Sequence, residues 1–404
     1  MEDINGSRPN AAPKPKKRPN RFVRFLAFLV TLALMMGAVA LEANYDKLNF
    51  DFIKRWFSYR TLARNDSGQA ESFHFVGDSS NAFAVVDGDL LVCSPNTIRL
   101  YSGSGQAFVD FVEMYDTVKP DMLFICVPPT SHGSIEMEAI TRGIPFFVEK
   151  PLALDLELGR RIRDAAEAKG LITASGFQCR YSNTIAPTVE FIQSHQIPFV
   201  ECVRMSSIPD APWWKVKALS GGQAVEQTIH QFDILRYVFG EPESVFSTAT
   251  RGFVQGVDGY DTDDLSSTVI RFQNGALGTV TTGCYAQSGC CFDSKITFSA
   301  PDARLDHYII NKVKIYTDRP QNETDNGLVV KGDGTLKMDG ENVTLIEDDG
   351  LAGEICDRTF VDAVLTGDSS KIRSSYRDAL RSVAFTLACN QSMETGLPVK
   401  VELD

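Results

Sequence analysis

Two short apolar runs, Met122–Val127 and Pro145–Val148, narrow most sharply what this chain can fold into. Neither alternates with polar residues, and a helix-patterned stretch, Ser131–Arg142, lies between them and closes on Gly143. Strands that are apolar on every side chain must be covered on both faces, and strands alternating with helices pair in parallel. The pattern then repeats. A second helix is signalled by Asp155 at its start and Gly170 past its end, and it leads into a strand over Leu171–Ser175. Phe108, Phe111, Val112 and Tyr115 recur at helical spacing just ahead of the first strand.

Beyond Tyr181 the period changes. One helix precedes an alternating region, Phe199 to about Tyr316, that reads as an antiparallel sheet. Its strands "SSTVIRF", "ALGTVTTGC" and "SKITFSA" carry Asn274-Gly275 and Pro301-Asp302 at turns. A last amphipathic helix covers about Ser375–Glu394.

The front of the chain differs from all of this. Residues 1–24 are basic and Pro-rich, with a local charge of +5 in a chain whose formal net charge is -12. From Phe25 to Leu41 no charge occurs, a run at the short end of what spans a hydrocarbon core of roughly 30 Å. Arg21 and Arg24 precede it, so the expectation is a single-pass transmembrane helix with its N-terminus cytoplasmic and residues 42–404 outside. A cleaved signal peptide is the alternative, with Ala38-Val39-Ala40 as its small-residue site. Residues 44–75 read as a linker, and residues 82–101 as a β-meander turning at Asp87-Gly88-Asp89 and Pro95-Asn96. Trp56 to Gln106 resembles the opening of bacterial membrane-anchored proteins with β-propeller-like ectodomains.

The acidic balance argues against a nucleic-acid partner, since nothing would offset phosphate repulsion. Nine cysteines form no CxxC pair and no zinc-like cluster with histidine, so no metal is expected. That usage suits a reducing compartment better than the outside of a cell, and stands against the expected topology.

Several residues carry chemistry in their own right. Pro128-Pro129 ends a parallel strand at its carboxyl edge, where ligands of such sheets bind. His132 there either polarises a ligand or caps the next helix. Glu149-Lys150-Pro151 leaves the next strand at the same edge, and a partly desolvated Lys150 suits acid/base work; the other reading is a surface lysine paired with Glu149. Glu226, His230 and Asp233 are spaced i, i+4, i+7, so on one helix they share a face. An acid can then orient a histidine that exchanges protons near neutrality, although a hydrated face with a satisfied histidine has the same spacing.

Four blocks in order, "FICVPPTSH" (124–132), "FVEKPLAL" (147–154), "GGQAVEQTIHQFDILRYVFGEP" (221–242) and the closing "EICDRTFVDAVLTGD" with "SVAFTLACNQSMETGLPV", resemble the Gfo/Idh/MocA family of NAD(P)-dependent oxidoreductases. The resemblance implies a partial Rossmann domain over 108–180 and a substrate and oligomerisation domain over 181–404, behind a tail (1–24), a membrane helix (25–41) and a linker with hairpins (42–107). It implies a cofactor, NAD or NADP, bound by Pro128, Pro129, His132, Glu149, Lys150, Arg180 and Tyr181. Lys150, Glu226, His230 and Asp233 would be catalytic, and Trp213, Trp214 and Lys215 would meet a sugar, inositol or related polyol. Read without the family, the tryptophan pair suits core packing as well as a ligand. Where this family commonly has Asp, this chain has Glu226, one methylene longer. A homo-oligomer through the C-terminal sheet is a further implication.

One part of that pattern is missing. No strand–GxGxxG–helix unit precedes residue 108, and the nearest stretch, Gly103-Ser104-Gly105-Gln106-Ala107-Phe108, puts Phe108 at the third glycine position and reads as a turn. A truncated oxidoreductase fused behind a membrane segment would leave an uncovered strand at the edge of its sheet. Two functions follow: a polyol oxidoreductase, or a membrane-anchored binding protein that has lost the cofactor half.

Overall fold

The computed structural model describes residues 110–317 and 343–404, except 210 and 212, together with the backbone of short strands at 82–86, 89–94, 97–101, 107–108, 329–330 and 336–337. The expected membrane helix, the basic tail and the glycine-containing stretch at 102–106 lie outside the described residues. Among those described, no helix is long and apolar enough to cross a membrane.

Three strands, β5 (Met122–Ile125), β6 (Phe146–Val148) and β7 (Thr173–Ser175), pair in parallel, as their apolar runs require. Side chains leave β5 alternately to two cores. Leu123 and Ile125 pack with α2 (Ser134–Arg142) and α3 (Leu156–Ala168), while Met122 and Phe124 meet Phe360 of α8 (Ala352–Thr366). The Phe124 and Phe360 rings meet edge to face at 5.3 Å.

The expected uncovered edge does not exist. Strands β1 (Ala82–Val86), β2 (Asp89–Ser94), β3 (Thr97–Tyr101) and β4 (Ala107–Phe108) form the meander, and β1 pairs antiparallel with β5. One seven-stranded sheet results, ordered β4-β3-β2-β1-β5-β6-β7. The meander is therefore a continuation of the parallel sheet and not a separate ectodomain; it fills the ladder groups that β5 would otherwise leave unpaired. Helix α1 (Phe111–Val118) follows, its first turn closed by Asp110, which accepts from the Glu113 N–H.

After α4 (Ile185–Ser194) comes a nine-stranded sheet of β8 (Phe199–Met205), β9 (Pro242–Thr250), β10 (Leu265–Phe272), β11 (Leu277–Gly283), β12 (Asp293–Ser299), β13 (Arg304–Tyr308), β14 (Lys312–Tyr316), β17 (Val343–Glu347) and β18 (Val399–Lys400), ordered β17-β14-β13-β12-β8-β11-β10-β9-β18. It is antiparallel except where β8 runs parallel to β11. Inward residues such as Val200, Cys202, Ile270 and Phe298 are fully buried against the helical layer. The longest helix, α9 (Tyr376–Thr395), is capped by Ser375 and ends at Gly396, whose φ of 68° suits a residue without a β-carbon. Its first half, with Leu380 and Val383, packs on the parallel-sheet domain, and its second half, with Phe385 and Cys389, packs on the large sheet. Gly159 of α3 makes the first contact possible, because a β-carbon there would stand 2.4 Å from Leu380.

Candidate active site

The strand ends of β5, β6 and β7 open on one edge. Past β5, buried Pro129 begins a single 3-10 turn and His132 follows it. The two sequence readings of His132 separate here, because Glu136 does the capping. One Glu136 oxygen accepts from the Gly133 N–H at 2.6 Å; the other lies 2.6 Å from His132 Nδ1. Glu136 is fully buried, so a carboxylate without water holds the Nδ1 proton and leaves Nε2 as the ring's free nitrogen. That Nε2 is buried without a partner.

Past β6 come Glu149 and Lys150. Lys150 Nζ donates to the Glu226 carboxylate at 2.8 Å and to the Glu226 carbonyl at 2.9 Å. The alternative partner, Glu149, accepts instead from the Lys150 backbone N–H. Gly176 makes room for it, since a β-carbon there would fall 2.4 Å from Glu149 Oε2. Burial raises the Glu149 carboxyl above its ordinary range, with Lys150 pulling it back. Asp357 of α8 is pushed far higher, by burial and by the Glu149 charge.

Glu226 does not sit on one helix with Asp233. Two short helices, α6 (Gln223–Glu226) and α7 (Ile229–Ile234), are separated at Gln227-Thr228, where both N–H groups turn back to the Gln223 carbonyl. (A four-residue helix, α5, Lys217–Ser220, precedes them.) The break leaves the Glu226 carbonyl for Lys150. Burial pushes the Glu226 carboxyl up to about 7 against the pull of Lys150. Its Oε2 is buried and unpartnered. His230 is half-buried, 3.7 Å from Cys179 Sγ through Nδ1, and edge-on to Phe177. Burial, then the charges of Lys150 and Arg204, lower its imidazole to about 3, so it is neutral at pH 7.

Asp233 goes elsewhere. Its two oxygens accept from Arg180 Nε at 2.8 Å and Nη2 at 2.5 Å, and Ser382 adds a third bond at 2.6 Å. Arg180 also pairs with Asp378 and donates to the Arg373 carbonyl, whose residue in turn donates its N–H to Tyr181 Oη at 2.8 Å. The Arg180-Tyr181 pair thus joins the two domains. Trp214 is 1% exposed and packs near Tyr260, whereas Trp213 and Lys215 are half-buried. Two residues escaped the sequence reading. Glu136 stands four after His132, a spacing that was available to see; Arg204, which bonds Gln227 Oε1 at 3.0 Å, carried no local signal.

For a nicotinamide dinucleotide, the two halves of the sheet differ. At the parallel half, the unpartnered His132 Nε2 and the Lys150 ammonium follow the carboxyl ends of β5 and β6, the edge at which such sheets take ligands, and their chemistry fits a nicotinamide amide. At the meander, the strand-to-helix turn present among the described residues is β4 to α1. Asp110 already fills that helix end with a carboxylate.

Residues 70–177 match the oxidoreductase family's NAD-binding Rossmann fold, and residues 196–303 match the GFO/IDH/MocA C-terminal domain. Among curated proteins, the myo-inositol 2-dehydrogenase of Thermotoga maritima is 26% identical over 50% of this chain and 61% of its own length. The scyllo-inositol 2-dehydrogenase (NAD(+)) of Bacillus subtilis is 29% identical over 40% of this chain and 47% of its own. The match thus spans about half the length of these relatives. A solved levoglucosan dehydrogenase in complex with NADH and levoglucosan shares the fold, with a TM-score of 0.61, 19% identity, and coverage of 74% of this chain and 84% of that one. The cofactor class of the first domain is accordingly NAD(P), and this chain carries both the NAD-binding and the C-terminal domain of the Gfo/Idh/MocA oxidoreductase family.

Proposed function

We propose that this chain passes a hydride between a nicotinamide cofactor and a secondary alcohol of a sugar, inositol or related polyol. The single observation that carries the reading is the Lys150–Glu226 pair, which stands at the carboxyl edge of the parallel strands with one Glu226 oxygen buried and unpartnered. The cofactor, when bound, supplies the hydride acceptor. Lys150 spends two N–H groups on Glu226 and keeps the third for the substrate oxygen, where it steadies the negative charge that grows as the hydroxyl proton departs and that fades as the carbonyl forms. The hydroxyl proton passes to Glu226 Oε2. Neutral His230 takes a hydrogen bond from a neighbouring hydroxyl and orients the ring. The oxidoreductase models matched, the inositol dehydrogenases among the relatives and the solved sugar dehydrogenase support the substrate class. The test is turnover of myo-inositol and of sugars with NAD+ and NADP+. Lys150→Ala should then cut kcat by roughly 10²-fold or more; turnover that survives it would remove Lys150 from the chemistry.

A second reading, a membrane-anchored binding protein without cofactor, is favoured by the Asp110-capped helix where a phosphate loop would stand. Titration of NADH and NADPH decides between the two, and no saturable binding up to millimolar cofactor would favour the second. Phe25–Leu41 is read as a membrane anchor on its composition and basic flank. Protease added to the cytoplasmic side of sealed vesicles should leave residues 42–404 intact. Exposed Phe246, Val269 and Leu277 on the outer side of the large sheet support self-association, to be measured by light scattering.

A further inference from the structure

Arg204, at the end of β8, differs from the other arginines of the interior. Arg180 and Arg236 are saturated by carboxylates. Arg204 has neutral partners: Ser206 Oγ at 2.9 Å, Cys284 Sγ at 3.6 Å and Gln227 Oε1 at 3.0 Å. Those three contacts leave two of a guanidinium's five N–H groups for a ligand. No ion pair to Arg204 is formed among the described residues, although it is only half-exposed. A partly desolvated charge without a counter-ion is costly unless something supplies one.

Beside it lies a cavity of about 370 Å³, lined by Arg204, Ser206, Asp293, Ser294, Tyr308 and Asn311 among others. That is the low end of the roughly 300–1,000 Å³ typical of ligand pockets, and suits one sugar ring better than a dinucleotide. Its hydroxyl and amide side chains match a polyhydroxylated ring. Asp293, the one acid in this lining, is exposed to solvent, which screens its charge. Through Gln227, the residue after Glu226, Arg204 connects this cavity to the proton-transfer pair.

We infer that this cavity binds the anionic group of an acidic sugar, with Arg204 as the specificity-determining residue. The inference rests on the sugar-oxidising reading and sharpens its substrate class from neutral polyols to sugar acids. An Arg fork is the side chain best matched to a planar carboxylate, through two parallel charge-assisted hydrogen bonds. A sugar phosphate offers the same charge, and the measurement separates the two sources.

The experiment is equilibrium binding by calorimetry to the full-length chain in mild detergent, with D-glucose, D-glucuronate and D-glucose 6-phosphate as probes. The wild type should bind glucuronate at least about tenfold more tightly than glucose. Arg204→Gln should bring that ratio close to one, and Arg204→Lys, which keeps the charge but not the fork, should retain only part of it. Tighter binding of the phosphate, equally lost in Arg204→Gln, would support the same anion site with a phosphorylated sugar as its occupant. A wild-type ratio near one overturns the inference whether or not the variants fold, as does a ratio that Arg204→Gln leaves unchanged. Arg204-dependent glucuronate binding without NAD(P)-dependent turnover would sink the oxidoreductase reading alone. Turnover of neutral polyols without any preference for the acid would sink this inference alone.

Discussion

Two ion pairs tie the parallel-sheet domain to the same stretch of chain, residues 223–234, and they are built to opposite ends. Arg180 and Asp233 are both about 1% exposed at the side chain, both Asp233 oxygens are taken, and Ser382 adds a further donor. Lys150 and Glu226 also meet at 2.8 Å, but one Glu226 oxygen is unpartnered and the lysine keeps 14% of its side-chain surface. A pair with both carboxylate oxygens engaged holds structure together. A pair with one left over has something still to bind.

Removing one partner of the saturated pair should have the largest effect on stability. Arg180→Met leaves buried Asp233 with only Ser382 and, at 3.9 Å, Arg236 as partners, and should cost about 3–5 kcal/mol in urea unfolding. Loss below about 1 kcal/mol would mean that the pair is replaceable and the contrast is false.

Glu226→Gln tests the other side. Its amide still hydrogen-bonds Lys150, so stability should fall by only about 1 kcal/mol, while kcat drops by roughly 10²-fold or more. An equal loss in both variants' stability, with activity following stability, would erase the distinction between site and scaffold.

The pH dependence is a finer measure. Glu226 titrates at about 7 in the folded chain, above the ordinary carboxyl value of about 4.3. A raised folded value means that the folded state holds the proton more tightly. The contribution is therefore fully present below about pH 4 and fades as pH rises through 7. Stability should decline with pH across that window, and Glu226→Gln should flatten the decline. Alcohol oxidation should rise as pH passes about 7, when the carboxylate becomes free to accept.

The smallest effect on turnover belongs to Glu136. Glu136→Ala removes the buried acceptor for both the Gly133 N–H and His132 Nδ1 and should cost about 2 kcal/mol, the scale of a buried hydrogen-bonding group left unpaired. It also frees the His132 tautomer, so nicotinamide affinity should weaken while the Arg180 cluster is untouched.

What the sequence disclosed, and what it hid, follows from range. Met122–Val127, Pro145–Val148 and the helices between them were legible because an apolar run reports its own burial. So was the placing of Lys150 and Glu226 near one another, through the family's blocks. The one helix expected for Glu226, His230 and Asp233 is two, because spacing assumes an unbroken helix and the chain breaks at Gln227-Thr228. Nor could Asp233 be assigned its partner. Arg180 is 53 residues away, and nothing local marks a pair that only packing creates. Pairing direction was hidden for the same reason. The meander and β8 look alike in alternation, yet β1 joins β5 antiparallel while β8 joins β11 in parallel.

Helix α9 gives half its length to each core, which makes the division into two domains a matter of ancestry and not of mechanics. A cleft between separately stable lobes can breathe by hinging; here, swinging one lobe would drag a rigid rod out of the other. Access to the Lys150–Glu226 edge is therefore governed by loops, and the two lobes should melt in one cooperative transition. Truncation before Tyr376 would then unravel the nucleotide-binding lobe as surely as the sheet it visibly belongs to, even though the first residue lost lies two hundred positions beyond β7.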